Sequence, residues 1–317
     1  MIKSYSGIDL KKIKTYPLRE RINKVKSSEF ASPCKEGGDF RDFYNSLPMV
    51  LAVKNLKGLV DSILTARKRN KPVLFMMGAH VIKCGLNPII IDLIKKRVIT
   101  AIALNGAGII HDFEIAFIGG TSEDVSESIE DGSFGMSRET GVMLNKAIKD
   151  GAKKDWGIGR SVGEMLAKGR FPYKEYSILY NGIKNRIPIT VHVAIGTDII
   201  HQHPSCDGAS TGKASLKDFH NLVSTVANLG DGGVVFNIGS AVILPEVFLK
   251  ALSVARNLKF RVQDFATANL DMINHYRPRV NVLERPTASG SFGRRYSITG
   301  HHEIMLPLIA RAIIEGL

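Results

Sequence analysis

The chain has 317 residues, 44% of them apolar and 23% charged, and 43 Lys+Arg against 30 Asp+Glu give a formal net charge of +13. That length allows a substantial core in one large α/β domain or two smaller ones, and the composition excludes a disordered or collagen-like chain. No run of about 18 uninterrupted apolar residues occurs, so no membrane-spanning helix is expected, and three widely separated cysteines (Cys34, Cys84, Cys206) offer neither a disulfide framework nor a zinc ribbon.

Residues 1–45 are basic and poorly periodic, broken by Pro17, Ser27, Ser28, Ser32 and Pro33, and read as an arm with one short helix. Their opening lacks the apolar core and cleavage site of a secretory leader, so a cytoplasmic location is expected. Residues 46–317 form the body. Helical spacing covers 56–69, an apolar strand 72–77, a broad-faced helix 81–96 and a second strand 99–104. Helices follow at 138–149, 161–168 and 176–185, then a strand at 189–195 and a helix at 215–229. The remaining pattern is strand 233–238, helix 245–257 opened by Pro245 in the first turn, strand 260–265 and a closing helix 302–315. Strands alternating with helices predict a doubly wound, mostly parallel α/β sheet covered on both faces. The basic residues are scattered and gather at helix ends (Arg67, Lys68, Arg69; Lys95, Lys96, Arg97), where they complement the helix dipole, so no nucleic-acid partner is expected.

Four strand ends carry small residues: MMGAH (76–80), LNGAG (104–108), AIGTD (194–198) and NIGSA (237–241). Glycine lets a backbone approach a ligand closely, and a following helix offers free N–H groups to an anion. Several such turns on one sheet edge predict a nucleotide crevice, although none reads G-x-G-x-x-G. The third turn runs into a loop with Asp198, His201, His203, Cys206 and Asp207. Asp198, His201, His203 and Asp207 could hold a metal, with His111, His192, His301 and His302 as further candidates, which would suit a hydrolase; alternatively the histidines bond a polar substrate or loop carbonyls while Asp207 caps a turn. His301 could likewise be structural or an acid–base group. A Pro-containing segment with His275, Tyr276, Arg277, Arg279 and Arg285, joined by Arg294 and Arg295, is expected to close over an anion, and two GSFG strings (132–135 and 290–293) read as hinges.

These strings, in this order, resemble the deoxyhypusine synthase family. MGAHVIKCGLNPIIIDLIKK compares with its first glycine turn and helix, and ALNGAGIIHDFE with a T-A-G-G-like turn. Thr197-Asp198 and Asp207-Gly208-Ala209 bracket a T-D-G-S-like loop, NIGSAVILPEVFLKAL follows, and FATANLD and EIMLPLIARAI close the series. The resemblance implies a Rossmann-like fold, homotetramers with sites between subunits, and NAD-dependent transfer of the aminobutyl group of spermidine to a protein lysine or another amine. It implies cofactor contacts at Gly78, Asn105, Gly106, Gly108, Asp198, Gly239, Ser240, Thr267 and Ala268, and a carboxylate lining of Asp207, Glu246 and Asp271 for the polyamine.

The departures are equally specific. Where the family carries its imine-forming lysine, residues 289–303 offer Arg294 and Arg295 but no lysine, and arginine stays protonated and cannot form the imine. Leu244-Pro245-Glu246 replaces the family's paired histidines, and Gly300-His301-His302 stands where the family has an aspartate. Hydride transfer from a C–H beside nitrogen could still proceed, assisted by His203 or His301 with Asp207 and Glu246, and an acceptor amine could attack the imine directly. Lys83 and Lys250 are the lysines nearest this scheme and read as helix-face residues. A non-catalytic subunit that keeps the fold is the remaining alternative.

Overall fold

The computed structural model describes residues 7–288 and 293–316. The chain divides into two compact units, Met1–Val50 and Leu51–Leu317. The described part of the first holds three short 3-10 turns and helix α1 (Phe40–Ser46), capped by Asp39, and it leaves Ile8, Leu10, Ile13, Leu18 and Ile22 largely exposed.

The second unit begins with α2 (Leu51–Lys68). Its strands are β1 (Val73–Met77), β2 (Ala101–Asn105), β3 (Ile189–His192), β4 (Val234–Ile238), β5 (Ala266–Asp271) and β6 (Arg294–Thr299). They form one sheet, parallel throughout, in the order β3-β2-β1-β4-β5-β6. Between β1 and β2 lie α3 (His80–Lys83) and α4 (Asn87–Lys95). Between β2 and β3 come α5 (Gly106–Ile118), α6 (Val125–Asp131), α7 (Arg138–Lys153), α8 (Ile158–Lys168) and α9 (Ile178–Asn185). Helix α10 (Gly208–Ala227) leads to β4, α11 (Ile243–Asn257) to β5, and α12 (His302–Glu315) follows β6. This is the doubly wound Rossmann-like α/β architecture expected from the alternating pattern.

Every residue of β1 and β4 is buried, because helices cover both faces of a parallel sheet. Leu74 and Met76 pack with Val235, Phe248, Leu252 and Phe265 in a core between the sheet, α10 and α11. Phe75 meets Phe236 edge-to-face on neighbouring strands, ring centroids 5.2 Å apart. Within the sheet, Asn237 of β4 lies in register with Asn269 of β5 and donates a side-chain hydrogen bond to it (2.8 Å).

Three elements differ from the sequence pattern. Residues 260–265 alternate like a strand but form a turn region with Lys259 and Asp264 at positive φ; the strand is the next segment, ATANLD, whose small and polar residues carry little β-propensity. Edge strand β6, rich in exposed arginine, is a strand only by pairing with β5, and such charges protect a sheet edge. Helix α5 went unread because Gly-Ala-Gly opens it and apolar residues surround it, hiding the 3.6 period. Of the second GSFG string, residues 290–292 lie outside the described residues.

Candidate functional site

In this strand order the chain runs outward from β1 to β2 and β3, then returns to β4 on the other side. The topological switch therefore falls between β1 and β4, and ligands of open α/β sheets bind beyond the carboxyl ends of the strands at such a point. Two glycines meet there. A Cβ on Gly78 would lie 2.1 Å from the carbonyl oxygen of Gly239, and Gly239 holds φ +63 with His302 Cε1 2.8 Å from where its own Cβ would be. Neither position admits a side chain. The Gly78 N–H donates to Ile238 O (2.9 Å) and the Gly239 N–H to Leu270 O (3.0 Å), so the ladder extends one residue past each strand. Ser240 Oγ accepts the Leu244 N–H (3.3 Å) in the first turn of α11.

His302, fully buried at the start of α12, fills the space over Gly239. Its Nε2 lies 3.4 Å from Leu270 O, while its Nδ1 is buried with no hydrogen-bond partner. The His80 ring, from α3, stands edge-on to it with centroids 5.4 Å apart. Burial pushes the His302 pKa down; Asp271 pulls against that shift, while His80 adds to it. The Asp271 carboxylate, at the end of β5, accepts the Met272 N–H (2.8 Å). On the outer side, Cys84 donates to Glu303 (3.8 Å), and burial, then the Glu303 charge, raises the thiol's pKa.

A second turn closes over β2. The Asn105 side chain accepts the Gly108 N–H (3.1 Å) and caps α5. The Asp198 carboxyl lies over Gly106, whose Cβ would be 1.9 Å from Oδ2, and it accepts the Ala107 N–H. The other contacts leave Asp198 Oδ2 buried without a partner, and desolvation raises the group's pKa to about 6. His201 Nδ1 accepts the N–H groups of Gly196 (3.2 Å) and Asp198 (3.3 Å), so it folds the loop and faces its own backbone.

A third group lies beside this turn, of which the sequence offered only His111, as a further metal-ligand candidate. His111 Nδ1 donates to Thr121 Oγ1 (2.7 Å), which donates to Glu114 (2.5 Å), while Thr140 bonds the other Glu114 oxygen (3.1 Å). Burial, then the Lys83 charge, lowers the His111 pKa to about 4. For Glu114 the signal was H-D-F-E spacing, on a helix not read from sequence.

The four residues expected to do acid–base chemistry are occupied elsewhere. His203 packs its ring on α7, where a Gly141 Cβ would be 2.3 Å away, and pairs with Ser205 (2.8 Å). Asp207 caps α10 through the Ala209 and Ser210 N–H groups, and its bonds to Ser210 lower its pKa. Glu246 is held by Lys250, Arg277 (3.2 Å) and Asn281 (2.8 Å), so its charge is already neutralised. His301 is exposed at the N-cap of α12, 3.8 Å from Glu303. The structure places the neighbouring histidine, His302, in the crevice instead.

Two cofactor positions also move. Thr267 and Ala268 are buried in mid-strand, in register with Val235 and Phe236, so they cannot reach a ligand at the carboxyl edge; Asp271 ends that strand. The basic segment expected to close over an anion is a packed π-helical turn, Pro278–Glu284. Arg277 pairs there with Glu246, Arg279 with Glu284 and Arg285 with Asn281. For a metal, His203 faces α7 while His201 faces its own loop, and among the described residues no three His, Cys, Asp or Glu side chains converge.

No protein-family model matches the chain, and no curated protein matches it. Solved structures do. A provisionally named deoxyhypusine synthase from Entamoeba histolytica aligns over 90% of this chain and 96% of its own, at 12% identity and TM-score 0.54. A conserved protein, provisionally of LOR/SDH type, from Methanococcus maripaludis S2 aligns over 84% of this chain and 70% of its own, at 17% identity and TM-score 0.51. Unliganded AgrE aligns over 84% of this chain at 12% identity and TM-score 0.52, but this chain spans only 34% of its length. No helix is long and apolar enough to cross a membrane among the described residues. At these identities the likenesses show the fold, which the chain shares with a deoxyhypusine synthase-like protein over nearly the whole of both.

Proposed function

We propose that the chain is an NAD-dependent enzyme acting on an amine, with its cofactor in the β1/β4 crevice. The observation that carries this reading is the contact of Gly78 with Gly239 at the switch point, where two glycine turns pack backbone to backbone under His302 and leave no room for a side chain. The residues present suit the cofactor. Gly239 and Ser240 lead into the 15-residue helix α11, which turns its positive dipole end toward the crevice while Ser240 takes the Leu244 N–H and Pro245 offers none. Asp198, lying over the residue after β2, has the acidic position that takes ribose hydroxyls in this fold, and its unpartnered Oδ2 is an acceptor in want of a donor.

NAD would supply a hydride acceptor for a C–H bond beside the amine nitrogen. Asp271 and Glu303 give the cationic amine a carboxylate setting. His302, kept neutral by burial, takes a proton from the substrate nitrogen as the C=N bond forms. An acceptor amine then adds to that carbon and the donor amine leaves, and return of the hydride to the new C=N bond would complete the transfer, so the lysine missing from residues 289–303 is not required. Spermidine, as aminobutyl donor, is the substrate to try first. A homotetramer is the assembly we propose, with the exposed apolar residues of the arm available for contacts between copies.

Calorimetry should detect NAD binding to the intact chain, and absorbance should show NADH when spermidine is added. Gly239→Ala, which sets a methyl against His302, should abolish binding. Lack of binding together with lack of NADH across a polyamine panel would instead support a non-catalytic subunit.

A further inference from the structure

We propose that the opposite, amino edge of the sheet carries a separate binding site for a small molecule bearing two or more phosphate groups. A cavity of about 1420 Å³ opens there, beneath the starts of β1, β2 and β3 and between α8, α9 and α10. Five cationic side chains line it: Arg67, Lys71, Arg97, Arg160 and Arg186. The two carboxylates that share the lining are already engaged. Glu164 pairs with Lys168 (3.0 Å), and Asp218 accepts the N–H groups of Gly159 and Val191 (both 2.9 Å). None of the five cations has a carboxylate within ion-pair distance among the described residues.

Helix ends attract basic residues without any ligand, and this use accounts for Arg97, whose Nη1 donates to Asn185 O at the end of α9 (2.8 Å). It also covers Arg67, in the last turn of α2, and Arg186, at the end of α9, but not Arg160, which lies in the first turn of α8 where a cation opposes the dipole. Arg160 rests over the Trp156 ring (4.4 Å), which holds the guanidinium in place while leaving its N–H donors free. Arg67, Lys71 and Arg186 have no hydrogen-bonding partner for their charged ends among the described contacts.

The backbone shapes the rim of this cavity. Asn70, Arg97 and Arg186, in the turns just before β1, β2 and β3, hold φ of +51, +57 and +56. Such helix ends favour glycine, and Asp231 and Lys259 hold the same conformation ahead of β4 and β5, outside the cavity. Here the chain keeps two arginines and an asparagine at that cost, and all three line the cavity.

Guanidinium forks match phosphate oxygens two at a time, so several arginines around one space select phosphate over a monovalent anion. The volume exceeds what a single phosphate would fill, since drug-sized ligands occupy about 300–1,000 Å³. Ser224, Thr225 and Asn221 on α10 add neutral partners for a sugar or hydroxylated part.

Tripolyphosphate and ATP, titrated separately into the full chain at low and at high salt, should both bind, more weakly at high salt. Tighter binding of ATP would identify a nucleotide, and equal binding a bare polyphosphate. The pair Arg97→Gly and Arg186→Gly removes two cations but suits the left-handed backbone. Affinity should fall about a hundredfold, roughly tenfold per charge-assisted bond, with no loss of melting temperature. Arg160→Ala should weaken both ligands without touching a helix end. The Gly239→Ala variant, which disables the other edge, should bind tripolyphosphate as the parent does. The proposal is overturned by unaltered affinity in the double variant, by no binding of either probe at millimolar concentration, or by single-stranded RNA that displaces tripolyphosphate at far lower concentration.

Discussion

The two edges of one sheet are built on opposite principles. At the carboxyl edge, backbones touch through glycines, a buried histidine presses on the turn, and polar atoms such as His302 Nδ1 and Asp198 Oδ2 lack partners. At the amino edge the space is wide, and side chains, not backbone, supply the chemistry through five cations. Parallel strands explain the division. Every helix that follows a strand starts at one edge and every helix that precedes one ends at the other, so donors gather at the first and carbonyls at the second. The first edge is ready for an anion by backbone alone, whereas the second can bind one only if charged side chains are added.

The largest effect expected from breaking this contrast is that of Gly78→Ala. Its methyl would lie 2.1 Å from a backbone oxygen, so β1 or β4 must shift, and denaturant unfolding should show a loss of about 3 kcal/mol or more. The same aspartate-to-asparagine change then separates the edges. Asp218→Asn keeps one oxygen for the Gly159 and Val191 N–H groups, which share Oδ2, but sets its amide donor against the Ile158 N–H and the Asn221 amide, and should cost about 1–2 kcal/mol. Asp198→Asn removes a buried charge that has one donor and one unpartnered oxygen, so stability should change by less than about 1 kcal/mol; NAD affinity is where its effect should appear, in calorimetry.

The pH dependence is subtler. Burial raises Asp112 and Asp198 to about 6 and Asp218 to about 7, so their stabilising contribution is present below about pH 4 and lost as pH rises through those values. Burial lowers His111 and His192 to about 4, so their contribution is present above about pH 6.5 and lost as pH falls toward 4. The two sets oppose, three carboxyls against two imidazoles, so the parent's stability should decline only gradually between about pH 4 and 6.5. His192→Gln should tilt it, with urea midpoints falling as pH rises across that window. The smallest effect is a control: Gly212→Ala in α10, where a methyl meets nothing within 4 Å, should stabilise by about 0.5–1 kcal/mol.

Much of the fold was legible because burial on both faces leaves plain apolar runs, as in VLFMM of β1 and VVFNI of β4. ATANLD was not, since only its place between two other strands makes it one. At the site, Gly78, Gly239 and Asp198 were readable because glycine turns and a loop acid have local signatures. His302 was not distinguished from His301, because which of two adjacent histidines faces inward depends on the entry angle of α12, set by β6 pairing. The amino-edge cations were read as ordinary helix ends; separated by up to 119 positions in the chain (Arg67 to Arg186), they meet only through the topology.

The buried asparagine pair on β4 and β5 has a consequence for how the chain finds this arrangement. Asn237 donates to Asn269 in a single alignment of the two strands, and the same amide also reaches Ser240 O (3.0 Å). A slip by one residue would strand both amides against apolar neighbours, at about 1–3 kcal/mol for each unmet group. The pair thus acts as a proofreading key for the sheet. An assembly in the wrong register penalises itself before Gly239 and His302, two strands and one helix apart in construction, are ever brought face to face.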